Sequence, residues 1–231
     1  MPLLQLSAEM SSMKRAALGV QMHSGWGVLA AVSGDTRSVE VLDRRRIVTV
    51  DPSIPGARQP YHYAAGLGLA ASEKYLANCA AVSERLALEA VSEVVRELKG
   101  QNYLIVGSAV LLASGRPLPS LSKILASHAL IHTAEGEFFR NAVRKACEGL
   151  EIPVAAIRER ELEERAKTVF RQEASRVQHR ISSLGSSIGP PWTKDHKTAT
   201  LAAAIILARE RLLSPVAERV PHRLLDARGL E

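Results

Sequence analysis

The stretch LGVQMHSGWGV spans residues 18–28 and predicts a strand, a glycine turn and a second strand. A turn at Gly34 and a β-compatible run over 38–50 follow, so we expect three antiparallel strands within 15–50. Far along the chain, KDHKTATLAAAIIL at residues 194–207 predicts a polar helix start that continues into an apolar helix.

The segments between these two stretches alternate between helical and strand-like patterns. Proline and glycine over 51–66, 115–122 and 185–191 predict loops or linkers. An apolar run at 103–109 predicts a central strand covered on both faces, and another at 152–157 predicts a second buried strand. Helical spacing predicts four helices, at 69–99, 137–150, 159–183 and 193–213. This order predicts an α/β fold: a mixed five-stranded sheet, three antiparallel strands then two parallel, flanked by helices, with one extra helix before the last.

Length and composition predict one sizeable domain. With 231 residues, 46% hydrophobic and 23% charged, the chain is typical of a globular protein. We expect a flexible N-terminus over 1–14, a single domain over 15–213 with a helical insertion at 159–185, and a C-terminal tail over 214–231.

The net charge, the apolar runs and the cysteines indicate the expected partners and location of the protein. The formal net charge is +6 and the sequence pI is about 9.6, which favours a polyanion such as nucleic acid. We expect no signal peptide and no membrane span, because no apolar run reaches the roughly 18–20 residues that a span needs. Cys79 and Cys147 have small apolar neighbours and predict reduced, buried thiols. A cytoplasmic location is expected.

Residues 18–28 and 194–207 together resemble the ribonuclease H-like superfamily, in its RuvC and YqgF branch of Holliday-junction resolvases. In that branch, acidic residues on the first strand and at the start of the last helix hold catalytic metal. The first-strand position here is Gln21, so the resemblance implies a degenerate active site. Glu159 and Arg160 resemble the Asp-Glu-Arg segment of the YqgF branch, with Arg158 in place of the leading Asp.

The same resemblance implies a metal site at one edge of the sheet. Gln21, Glu159 and Asp195 would hold Mg²⁺ or Mn²⁺ there, although a further acidic position of the family falls on Thr198. Each residue also has a plain structural interpretation, since Glu159 could begin a solvated helix and Asp195 could stabilise a helix dipole. His196 could be a ligand, a base or a surface residue.

A second polar cluster, SHALIHTAEGE, occupies residues 127–137. If the segment is helical, His128, His132 and Glu135 share one face, with Glu137 nearby. These residue types suit proton transfer or contact with phosphate or metal. The alternative is a helix cap with acidic residues in the first turn. We expect the four residues to line a polar cleft beside the sheet edge.

The charged helix predicted at 159–183 carries an apolar stripe with basic borders. The stripe is typical of a core-facing helix or of a subunit contact, so a homodimer is one option. Its members are Phe170, Ala174, Val177, Ile181 and Leu184.

Three hypotheses for function follow. The first is a ribonuclease H-like protein that binds or cleaves structured nucleic acid. If it cleaves, it would be a metal-dependent nuclease in which Glu159 and Asp195 hold the metal and the cluster at 127–137, chiefly His132 and Glu135, completes the catalytic site. The second is a non-catalytic binding protein that keeps the fold. The third is an unrelated hydrolase that uses His128, His132 and Glu135.

Overall fold

Three antiparallel strands form one half of the sheet. The computed structural model describes residues 12–112 and 117–213. Strand β1 spans Lys14–Met22, β2 spans Trp26–Ser33 and β3 spans Glu40–Val48. Gly25 turns the chain between β1 and β2 with φ of +78°, a conformation that favours glycine. The predicted antiparallel meander is confirmed.

Two parallel strands complete the sheet. Strand β4, Tyr103–Leu112, pairs with β1, and β5, Val154–Arg158, pairs with β4. The strand order is β3-β2-β1-β4-β5, which puts β1 at the centre. The predicted fold class is therefore confirmed: an α/β fold with a mixed sheet of three antiparallel and two parallel strands.

Helices cover both faces of this sheet. On one face, α2 (Leu69–Gly100) and α4 (His128–Gly149) pack over alternate residues of β1, including Leu18 and Val20. The short helices α1 (Pro60–Ala64) and α3 (Leu121–Leu125) contact α4.

The opposite face is covered by the C-terminal helices. These are α5, α6, α7 and α8, which span Leu162–Phe170, Ala174–Ser183, Gly185–Ile188 and Lys194–Leu213. They share a second core with Ala17, Val32, Leu111 and Ile157 of the sheet. No helix in residues 12–112 or 117–213 combines the length and the apolar character that a membrane span needs.

Helix α8 lies directly against the central strand. A Cβ atom at Gly19 would lie 1.9 Å from the carbonyl oxygen of Ala199 and 2.9 Å from the backbone nitrogen of Ala203. Such distances leave no room for any side chain at Gly19. The alanines of α8 bring its backbone this close, and its first turn thereby lies beside the end of β1.

Several predicted boundaries are wrong. The continuous helix at 159–183 is instead a 3₁₀ turn, α5, a second 3₁₀ turn and α6, with the break at Arg171, where φ is +53°. Helix α4 begins at His128 rather than Glu137, and α1 and α7 lie in segments that predicted loops. Both 3₁₀ turns are short, as is usual at helix ends.

The apolar stripe of this region is core. Phe170, Ala174, Val177 and Ile181 are buried, and Leu184 packs against them. They share this core with apolar residues of α8 and of the sheet, so packing within the chain accounts for the stripe. Cys79 and Cys147 are buried free thiols. Residues 1–11 and 214–231, which include most of the predicted flexible N-terminus and all of the predicted tail, lie outside the described residues.

Candidate functional site at the carboxyl edge of the sheet

The carboxyl ends of β1, β4 and β5 meet beside the first turn of α8, and we call this region the carboxyl edge. Open α/β sheets bind ligands in this position. Gln21 lies near the end of β1, with 7% of its surface exposed, and its Nε2 donates a hydrogen bond to Glu159 Oε2 at 3.3 Å. Gln21 Oε1 is buried without a hydrogen-bond partner.

Two carboxylates of the carboxyl edge, Glu159 and Asp195, each contact a basic side chain. Lys194 Nζ lies 3.1 Å from Glu159 Oε1, and His23 Nε2 lies 2.9 Å from Asp195 Oδ2. Gln21 contacts Glu159, Glu159 contacts Lys194, and Lys194 is next to Asp195 in the chain, so the three predicted residues lie near the same edge of the sheet. Glu159 thus has a neutral donor on one oxygen and a cation on the other.

An aromatic and cationic stack adjoins the edge. The rings of His23 and Trp26 are stacked with their centroids 4.4 Å apart. The guanidinium carbon of Arg46 lies 4.3 Å from the Trp26 ring centroid, a cation–π distance. His23 and Arg46 are exposed, so planar groups at the surface are available for stacking.

Arg140 fixes α4 to the end of β4. Its Nε donates a hydrogen bond to the Leu111 carbonyl oxygen at 2.7 Å. Burial lowers the pKa of the Arg140 guanidinium, and the Glu137 and Glu159 carboxylates oppose this shift. Arg140 therefore adds a partly buried positive charge behind Glu159.

A cleft of about 710 Å³ opens from the edge between α6 and α8. The insertion helices form one wall of this cleft and α8 forms the other. Its polar lining mixes basic, acidic and neutral side chains: Glu159, Arg160, Glu163, Gln178, Ser182, Lys194, Lys197 and Thr198.

His196 holds the start of α8. It is 7% exposed, and its Nδ1 accepts a hydrogen bond from the Thr193 backbone N–H at 3.3 Å and lies 2.8 Å from Thr193 Oγ1. Burial lowers the pKa of His196, the Arg44 charge lowers it further, and Asp195 opposes both. The neutral ring thus supports the helix start, a structural task.

The residues at the carboxyl edge do not fit a pair of divalent metal ions. Two such ions bring four positive charges, and hard ions such as Mg²⁺ are held by carboxylate oxygens. Here two carboxylates face Lys194 and His23, while the first-strand position supplies a neutral amide and Thr198 supplies a hydroxyl. Among the described residues of the edge, the donor set is therefore short of negative charge.

The second predicted cluster divides between two places. Glu137 lines a cleft of about 550 Å³ with Arg140, Arg144 and Lys145, beside the ends of β4 and β5. His128, His132 and Glu135 lie nearer the start of α4, where they meet His62 of α1.

His62 is a residue that sequence reasoning missed. It lies in the proline-rich segment 51–66, which predicted a loop, and 66 positions before His128. The one available signal was Pro60, since proline is favoured in the first turn of a helix, where it occurs in α1. A helix there places His62 toward α4.

No protein-family model and no curated protein matches the sequence. Among solved structures, the chain is similar to RuvC of Thermus thermophilus in complex with a Holliday junction substrate. Identity is 14%, the match covers 86% of this chain and 96% of the other, and the TM-score is 0.47. A second structure of Thermus thermophilus RuvC matches at 13% identity, covering 86% and 97%, also with a TM-score of 0.47.

Proposed function

We propose that this chain binds structured nucleic acid at the carboxyl edge of its sheet and does not cleave it. The observation that carries the proposal is the pairing of Glu159 with Lys194 and Gln21. A carboxylate engaged in this way is a poor metal ligand, while the lysine it orients lies at the mouth of a cleft.

Basic side chains provide the attraction for phosphate. Lys194 is 83% exposed at its side chain, and Lys197 and Arg160 line the same cleft. Lysine and arginine bind backbone phosphates without regard to sequence, which supplies affinity and position. The net charge of +6 acts in the same direction.

The stack beside the edge favours a distorted or branched nucleic acid over a plain duplex. Unpaired bases stack on aromatic, histidine and guanidinium planes, and such planes are exposed at His23 and Arg46. In an intact duplex the bases are already stacked on one another. Junctions and single-stranded branches offer both unpaired bases and closely spaced phosphates.

The test compares ligands of equal arm sequence by fluorescence anisotropy: a four-way DNA junction, a linear duplex and a single strand. We expect the junction to bind most tightly, with affinity that falls as salt rises. The variant K194A/K197A should bind about tenfold more weakly, with its salt slope reduced by about 2. The control R96A/K99A removes the same charge from exposed positions near the end of α2. These positions precede the start of β4 and do not lie at its carboxyl end.

Two outcomes would overturn the proposal. Equal affinity of K194A/K197A and wild type for the junction would remove the binding site from the carboxyl edge. Cleavage of the junction by wild type in Mg²⁺ or Mn²⁺, lost on Glu159→Gln, would show a nuclease instead.

A further inference from the structure

Three histidines from two helices converge on one point of the surface. His62 of α1 and His128 and His132 of α4 each offer a ring nitrogen, and these nitrogens all lie within 4.8 Å of one another. Nε2 of His128 and Nε2 of His132 are 3.0 Å apart. Three imidazoles this close together, two of them exposed to solvent, have the arrangement of a set of metal ligands.

We propose that His62, His128 and His132 form a zinc site that joins α1 to α4. In a tetrahedral site, two nitrogens bound to one Zn²⁺ at the usual bond length are about 3.4 Å apart. The Nε2 atoms of His128 and His132 are 3.0 Å apart and the nitrogens of all three rings lie within 4.8 Å of one another, so rotations of the exposed rings bring them to this distance. The site is separate from the carboxyl edge and does not depend on the proposed function.

The fold supports this geometry on both sides. His128 and His132 are four positions apart on α4, so they lie on one face of the helix. Buried Ile124, Ile131 and Ala134 pack with Tyr61 in a small core beneath them. Because that core fixes α1 against α4, the three rings are brought together by packing alone.

Glu135 is the positioning residue of the site. It is 4% exposed, and its Oε1 accepts the His62 backbone N–H at 3.1 Å. The same oxygen lies 2.9 Å from His62 Nδ1, which is buried, although the pair is not aligned as a hydrogen bond. A carboxylate on the far nitrogen of a metal-bound histidine orients the ring and raises its basicity. His62 would then bind through Nε2, and the positive ion would offset the buried charge of Glu135.

The ligand type selects the metal. Imidazole suits Zn²⁺, Cu²⁺ and Ni²⁺, whereas Mg²⁺ prefers oxygen. Three protein ligands leave one tetrahedral position of zinc open to water, and it would lie on the solvent side, where His128 and His132 are exposed.

Isothermal titration of the untagged chain with Zn²⁺ tests the proposal. We expect one ion per chain, and E135Q should bind about 10- to 100-fold more weakly through loss of the positioning carboxylate. H128A/H132A should lose more affinity than that. H179A, which removes an exposed histidine on α6, should bind like wild type.

Titration with Co²⁺ gives a second readout that does not depend on affinity, since bound Co²⁺ in a tetrahedral site absorbs strongly in the visible range. We expect this absorption in wild type and H179A and its loss in H132Q, whose thermal unfolding shows whether it is folded. The proposal is overturned if wild type binds no zinc, or if H128A/H132A binds as tightly as H179A.

Discussion

The Gln21 side-chain amide donates a hydrogen bond to Glu159 Oε2 at 3.3 Å, across 138 positions of sequence. The bond joins the end of the central strand to the end of β5. It also replaces a repulsion by an attraction, because an acidic residue at position 21 would face Glu159 as a like charge. Glu159 is thus held by a neutral amide where an acidic residue would repel it.

An aspartate at position 21 should make the stability of the carboxyl edge depend on a bound metal ion. We expect Q21D to lower the free energy of unfolding by about 2 kcal/mol, since it removes the hydrogen bond and adds a like charge. Millimolar Mg²⁺ or Mn²⁺ should recover part of the loss in Q21D but not in Q21N, which stays neutral. Thermal unfolding with and without metal measures both. Equal responses of Q21D and Q21N would contradict the charge argument.

The contact between α8 and β1 predicts a large effect at Gly19. G19A forces a methyl group against the Ala199 carbonyl, so we expect a loss of about 3 kcal/mol in the free energy of unfolding. G100A is the matched control, because a Cβ at Gly100 meets nothing within 4 Å and alanine is the better helix former. Urea denaturation distinguishes the two, and similar midpoints for both variants would show that α8 can move away from β1.

Arg44 stabilises the segment that precedes α8, so we predict that its removal lowers the free energy of unfolding. Its guanidinium donates to the carbonyl oxygens of Ile188 at 2.6 Å and Gly189 at 2.8 Å, and also to that of Pro191. R44A leaves these acceptors unpaired, and we expect a loss of about 2 kcal/mol. R37A removes an exposed arginine from the turn after β2 and should change stability little. Chemical denaturation of the two variants checks the difference, which should be absent if solvent replaces the guanidinium.

His196 predicts a loss of stability in mild acid. Its pKa is lowered by burial from the ordinary value of 6.5, so the folded protein keeps a neutral ring while the unfolded chain takes up a proton. The unfolded state then binds more protons, and stability falls as pH drops below 6.5 until the folded pKa is passed.

The variant H196N keeps an acceptor for Thr193 but cannot be protonated, so its stability should fall less over the same pH range. The comparison is the melting temperature of wild type, H196N and the exposed-site control H179N between pH 7.5 and 5. A wild-type decline that H196N shares in full would assign the acid sensitivity to other groups.

Local patterns predicted the fold because they determine its elements directly. The glycine turn at 24–25 and the β-compatible runs on either side of it specify the β1–β2 hairpin. Continuous apolar runs predict β4 and β5 as buried strands, and both strands are present in the sheet. The predicted burial of β5 is wrong, because β5 is the edge strand and Ile157 is its one buried residue. The breaks in the C-terminal helices were missed because the apolar stripe continues through Arg171 without a change of spacing.

The candidate sites were predictable to different degrees. Gln21, Glu159 and Asp195 each lie near one end of a predicted element at the same edge, so their convergence could be expected. The contacts of Lys194 with Glu159 and of His23 with Asp195 could not, because they depend on side-chain directions. The contribution of His62 to the histidine cluster could not be predicted, since no periodicity relates a histidine in a proline-rich segment to a helix face far along the chain.

The absence of a side chain at Gly19 has a consequence for how such a protein can change over time. The distance from the central strand to the last helix is set there by direct contact between two main chains. Substitutions of nearby side chains, including the acids and bases at the carboxyl edge, therefore leave the spacing of β1 and α8 unchanged. The residues at this edge can change, and with them the chemistry of the site, while the backbone that positions them stays the same.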